Sequence, residues 1–260
     1  MRLLGAAVLM CAIMLTSCGG GRGNTQTPAG LSGNWQMTLQ NSTSTETQSG
    51  FLVQSGNTVS GSVQLSGQTI SGQTSCIGVG SALGQTSGSA VTMTVSPAGQ
   101  TVNLTGTASN DFTSMSGDYS ILASGCGQTE VGTWTAAQVN SLTGSFQATF
   151  TSSDTGNVFS FSGTITQGPN TGGSTATLSG SMMSTNAPCF TSASIAGVIS
   201  GTSVVLNLLS AEGVALGKYQ GTTTTDATSM TGYYRFSNAV TGGCQDIGGA
   251  TFTVQAPPAK

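Results

Sequence analysis

Histidine is missing from this 260-residue chain, and charge is nearly so: five Lys plus Arg and eight Asp plus Glu make up 5% of the residues, against roughly 25% in an average soluble domain. Without imidazole there is no histidine general base, no Ser-His-Asp triad and no His-ligated metal. So few basic groups cannot neutralise a run of phosphates, which excludes nucleic acid as a partner. Residues 31–139 contain no Lys or Arg at all. Glycine accounts for 39 positions, and Ser, Thr, Asn and Gln supply nearly all the polarity.

The N-terminus carries a compartment signal. Arg2 precedes an apolar stretch, Leu3 to Leu15, that is too short to span a bilayer as a helix. The stretch ends in Leu15-Thr16-Ser17-Cys18, which resembles the lipobox of bacterial lipoproteins. That resemblance implies that residues 1–17 are a signal peptide, that Cys18 carries a diacylglyceryl group, and that its new amine is acylated. Several acyl chains anchor firmly where one alone is marginal. Gly19 stands where an Asp would resemble an inner-membrane retention signal, so the expected location is the outer membrane. Residues 18–30 read as a flexible Gly/Thr tether. Loss of Arg2 leaves four basic and eight acidic side chains, a net of −4.

The rest of the chain is written twice. Leu31-Ser32-Gly33-Asn34-Trp35 matches Leu142-Thr143-Gly144-Ser145-Phe146, and Thr113-Ser114-Met115 matches Thr228-Ser229-Met230. Cys76 corresponds to Cys189 and Cys126 to Cys244. Two domains follow, residues 31–139 and 140–256, with a short tail at 257–260. In an exported protein these four cysteines are read as disulfides. Of three pairings the duplication favours Cys76–Cys126 and Cys189–Cys244, because a copied unit carries its own bridge. Two cysteines without histidine make a poor zinc set, and no metal or cofactor is expected.

Hydrophobic residues alternate at period two, as in Val91, Met93 and Val95, or Val204, Leu206 and Leu208. This is the mark of half-buried antiparallel strands. Turns built on Gly, Asn or Pro recur at short intervals, as at Ser55-Gly56-Asn57 and Ser200-Gly201. The one stretch suited to a helical turn is Thr135 to Asn140. About eight strands per repeat point to an all-β protein of two tandem up-and-down antiparallel barrels, with β-sandwiches as the alternative. Gly33-Asn34-Trp35 also resembles the Gly-x-Trp motif that opens lipocalins and avidins, whose ring plugs one barrel end. Neither family's ligand residues are present to carry over. More broadly, the chain resembles the Ser/Thr/Gly-rich predicted lipoproteins of acidobacterial type.

No nucleophile elbow occurs, and no catalytic residue is assigned. Asp111 and Asp226 each precede a Thr-Ser-Met segment and read as turn formers. Glu46, Glu130 and Asp246 read as solvated loop acids. Tyr233-Tyr234 occupy adjacent strand positions, so one ring must point outward. The expectation is a lipid-anchored, non-catalytic envelope protein with a structural or binding role. A carrier of a small apolar ligand inside the barrels is the alternative, and an acid-only hydrolase a third. Expected partners are the membrane, through Cys18, and an envelope polysaccharide or a small apolar ligand.

Overall fold

The computed structural model describes residues 30–66, 78–96, 100–123, 129–238 and 244–256. Among these residues every regular element is a strand. The first eight are β1 (Gly33–Gln40), β2 (Thr45–Ser55), β3 (Thr58–Ser66), β4 (Gly78–Ser87), β5 (Ala90–Ser96), β6 (Gln100–Ala108), β7 (Ser114–Ala123) and β8 (Glu130–Val139). The second eight are β9 (Gly144–Ser152), β10 (Val158–Gln167), β11 (Ala176–Ser184), β12 (Ser192–Ser200), β13 (Ser203–Leu209), β14 (Ala215–Thr223), β15 (Ser229–Asn238) and β16 (Cys244–Gln255). Each set runs antiparallel in sequence order and closes, β8 onto β1 and β16 onto β9. These are the two eight-stranded barrels expected; a sandwich would leave edges, and closure leaves none.

Alternation decides which side chains fill each barrel. In β9 the inward positions Gly144, Phe146, Ala148, Phe150 and Ser152 are buried and the residues between them exposed. The same alternation overturns the helical turn expected at Thr135 to Asn140. There β8 continues to Val139 and pairs with β1 residue by residue, Thr38 with Thr135 and Asn34 with Val139. Barrel closure supplies ladder partners that a local reading cannot see.

The duplication extends to individual hydrogen bonds. Leu31 N donates to Gln54 Oε1 at 2.8 Å, and Leu142 N to Gln167 Oε1 at 2.9 Å. Asp111 and Asp226 each accept from the backbone N–H two residues on, at 3.2 and 3.1 Å, as the turn-forming role requires. The residues after them, Phe112 and Ala227, share a φ of 57°. The cores, by contrast, have traded volumes between strands. Leu39 faces Trp134 where Phe150 faces Ala250, and Met37 faces Ala136 where Ala148 faces Phe252. Such exchanges keep the interior filled.

The barrels are joined by more than the linker. The outward residues Asn34 and Gln36 of β1, and their ladder partners Phe51 and Ser49 of β2, form one patch. The β12–β13 hairpin tip docks on it. Asn34, 2% exposed, donates through Nδ2 to Gly201 O at 2.9 Å and accepts from Gly201 N at 2.7 Å. Gln36 Oε1 accepts from Thr202 N and Oγ1, both at 3.1 Å, and the Ser49 and Ser200 hydroxyls lie 2.9 Å apart. Phe51 is buried among the hydrophobic residues of the second barrel. Gly201 has φ +53°, and a Cβ there would meet Gln36 Oε1 at 2.4 Å, so glycine is required by both conformation and space.

Candidate functional site

In both barrels a tyrosine meets a carboxylate inside the wall. Tyr119 pairs with Gly132 across the ladder, and Tyr234 with Gly248. A Cβ at Gly132 would lie 2.6 Å from the Tyr119 ring, and one at Gly248 2.9 Å from the Tyr234 ring. Each ring therefore lies over its partner glycine. Its hydroxyl reaches the acid two residues earlier on the same face. Tyr119 OH donates to Glu130. Tyr234 OH donates to Asp246 Oδ2 at 2.6 Å, and Ser152 Oγ to Asp246 Oδ1 at 2.6 Å. Burial, reinforced by the adjoining carboxylate, pushes both phenol pKa values well above the ordinary range. Glu130 and Asp246 were expected in loops as solvated acids. They instead occupy inward positions on β8 and β16, with Asp246 only 7% exposed.

The two interiors part company on the neighbouring strand. Gln48 faces Met37 as Phe161 faces Ala148, so Glu46 and Gln48 of β2 stand where β10 has Phe159 and Phe161. In the second barrel Phe161 packs on Phe150 with centroids 4.8 Å apart, and Phe150 on Tyr234 at 4.9 Å. In the first, Glu46 is half-buried, and its carboxyl pKa is raised, chiefly by desolvation and further by the charge of Glu130. One step deeper, Gln48 is 1% exposed and neither Nε2 nor Oε1 has a hydrogen-bond partner among the described residues. Sequence reasoning read Glu46 as a solvated loop acid and passed over Gln48, although the repeat itself sets two phenylalanines against them.

The raised Glu46 pKa fixes a sign. Below the ordinary carboxyl pKa the group is protonated folded or unfolded and adds nothing. As pH rises through the folded-state pKa, ionisation is easier in the unfolded chain, so stability is lost. Glu46→Gln is expected to match the parent in thermal melts near pH 3.5 and to melt higher at pH 7. Equal melting at both pH values would show that the carboxyl carries no folding penalty.

A second surface lies outside the second barrel. The adjacent strands β14, β15, β16 and β9 form a groove of about 550 Å³ lined by threonine hydroxyls and Tyr233. The register sets Thr222, Thr231, Thr251 and Thr149 in one row across it, and Gln220, Tyr233, Gly249 and Thr151 in the next. Tyr233 is 79% exposed while Tyr234 is buried, the inside–outside division expected of the pair. The following row brings Lys218 directly opposite Arg235. Both are exposed, and neither is ion-paired among the described residues.

The remaining assigned residues are placed as follows. Cys189 and Cys244 form a disulfide with a Cα–Cα distance of 5.4 Å. Cys18, Cys76 and Cys126 lie outside the described residues. Among the described residues no three His, Cys, Asp or Glu side chains gather as a metal site. Comparison with protein-family models and with curated proteins finds no match to this chain.

Proposed function

We propose that this is a non-catalytic cell-envelope protein, anchored to the outer membrane through acyl chains on Cys18, whose second barrel binds an acidic polysaccharide. The observation that carries the reading is the outer face of β14 and β15, where exposed Tyr233 stands beside the Lys218–Arg235 couple, which has no ion-pair partner among the described residues. Like charges directly opposite on a sheet destabilise it, and this chain has scarcely any positive charge to spend. Placing both groups together suits an anionic ligand. The exposed ring offers a stacking face for a sugar, and the threonine rows offer hydroxyl partners along the groove. Strand spacing of about 4.8 Å repeats those hydroxyls at the scale of successive sugars. The non-catalytic reading rests on Glu130 and Asp246 already being engaged by tyrosine hydroxyls.

Two measurements test it. Cys18→Ser should move the protein from the membrane to the soluble fraction; continued tight membrane association removes the anchor from the reading. Affinity electrophoresis through gels containing alginate, a polyuronate, should retard the Cys18→Ser protein, whereas dextran should not. Tyr233→Ala and Arg235→Gln should each weaken alginate binding roughly three- to ten-fold, the range of one exposed aromatic or ionic contact. Equal retardation by dextran, or full binding by both variants, removes the polysaccharide site. Retention on anionic phospholipid vesicles with no alginate binding would reassign the face to lipid headgroups.

A further inference from the structure

Glycine inside a strand weakens it, and it commonly marks a place where another backbone or a ligand comes close. Among the described residues, eight of the nine strand glycines in the second barrel are of the first kind. A Cβ on any of them would lie 1.9–2.7 Å from a backbone oxygen of the barrel wall. Gly249 is the exception. A Cβ there would meet nothing nearer than Gly232 O at 4.0 Å, and its φ is not in the left-handed region. Neither backbone conformation nor crowding asks for glycine at this position.

The position faces outward, into the groove. Gly248 and Ala250 on either side of it along β16 are buried, so alternation turns residue 249 to solvent. Its ladder partners are Tyr233 on β15 and Thr151 on β9. With neighbouring strands about 4.8 Å apart, the two flanking side chains rise about 10 Å from each other with bare main chain between them. The sister barrel fills the same place. Register sets Thr133 there, with Asp118 for Tyr233 and Gln40 for Thr151, while Asn103 and Ser120 stand for Lys218 and Arg235. The exposed ring, the two cations and the bare floor occur together in one barrel and are all replaced in the other.

We propose that Gly249 is the floor of a sugar subsite: one uronate ring rests on its main chain between Tyr233 and Thr151, with the carboxylate turned to Arg235. The subsite rests on the polysaccharide reading above and gives it a location. Arg235 lies on the same face of β15 as Tyr233 and two residues on, about 6.7 Å along the strand. That is close enough for a charge-assisted hydrogen bond to a carboxylate on a ring stacked at Tyr233. Because residue 249 has no side chain, nothing at that position stands between the ligand and the tyrosine, which is 79% exposed. Any larger residue would occupy the seat itself.

Gly249→Thr puts the sister barrel's residue into the seat. The Cys18→Ser protein and its Gly249→Thr form are compared by affinity electrophoresis in alginate gels and by thermal melts. Gly249→Thr should melt at or above the parent temperature, because threonine suits a strand better than glycine, and should weaken alginate binding at least ten-fold. In the Gly249→Thr background, Tyr233→Ala should cost less than two-fold more, since both changes act on one sugar. Retardation of the parent with equal retardation of Gly249→Thr overturns the subsite and leaves the polysaccharide reading standing. So does a full further loss for Tyr233→Ala in that background. No retardation of the parent removes both. Should Gly249→Thr melt lower, Gly249→Ala decides, because its methyl group has room. A loss of at least three-fold with parental melting sustains the seat, and unchanged binding overturns it.

Discussion

Asn34→Ala should split a single coupled melting transition into two and lower the stability of the joined chain by about 2–4 kcal/mol, the range for leaving a buried donor and acceptor unpaired. The Asn34 amide satisfies both backbone groups of Gly201. No other described contact offers that hairpin tip a substitute within the patch. Alanine would leave the Gly201 N–H and C=O facing an apolar gap next to Phe51. Differential scanning calorimetry reads the split, and limited proteolysis at residues 140–143 reads the loosened joint. Ser145→Ala is the control, because Ser145 holds the corresponding place in the second repeat and is exposed. A single transition at the parent temperature for Asn34→Ala would show that the barrels are not coupled through this contact.

That joint was invisible in the sequence, and the reason is physical. Gly33-Asn34-Trp35 reads as a strand opening, and nothing local tells that Asn34 meets a hairpin 167 positions away. The barrels themselves were legible because hydrophobic residues keep strict period two and turn chemistry interrupts them at short intervals. Asp111 and Asp226 were legible because their bonds are made within a few residues. Glu130 and Asp246 were misplaced because each sits near a cysteine in polar surroundings, where periodicity gives no face. Glu46 and Gln48 fail for the same reason: Thr45-Glu46-Thr47-Gln48-Ser49 is polar at every position, so neither face declares itself. Only the ladder, which sets Gln48 against Met37 and Leu65, turns it inward.

The two interiors make one argument about division of labour. The second barrel spends its inner face on packing: Phe150 alone touches four other rings, Phe161, Tyr234, Phe236 and Phe252. Its exposed ring and paired positive charges lie on the outer face, at Tyr233 and the Lys218–Arg235 couple. The first barrel keeps polar groups inside and has no positive side chain outside. A filled, rigid barrel suits a surface that binds an extended ligand.

Removing the Cys189–Cys244 bridge by a double alanine substitution should cost the second barrel about 4 kcal/mol. The bond spans a separation of 55 residues, and closing a loop of that size removes about that much chain entropy from the unfolded state. The native side points the same way. Cys189 is 2% exposed and belongs to the barrel core, while Cys244 begins the strand that carries Asp246. Freeing that strand end weakens the hold of Tyr234 and Ser152 on the carboxylate as well as the loop. Urea titration of the Asn34→Ala background separates the two barrels, so the loss should fall on one transition and leave the other in place. Chemical reduction would also act on any bridge between Cys76 and Cys126, which is why the substitution is the cleaner probe. An equal fall in both transitions would mean that the bridge stabilises the pair through the joint and not the second barrel alone. An unchanged second transition would mean that the aromatic cluster holds the barrel closed without its staple.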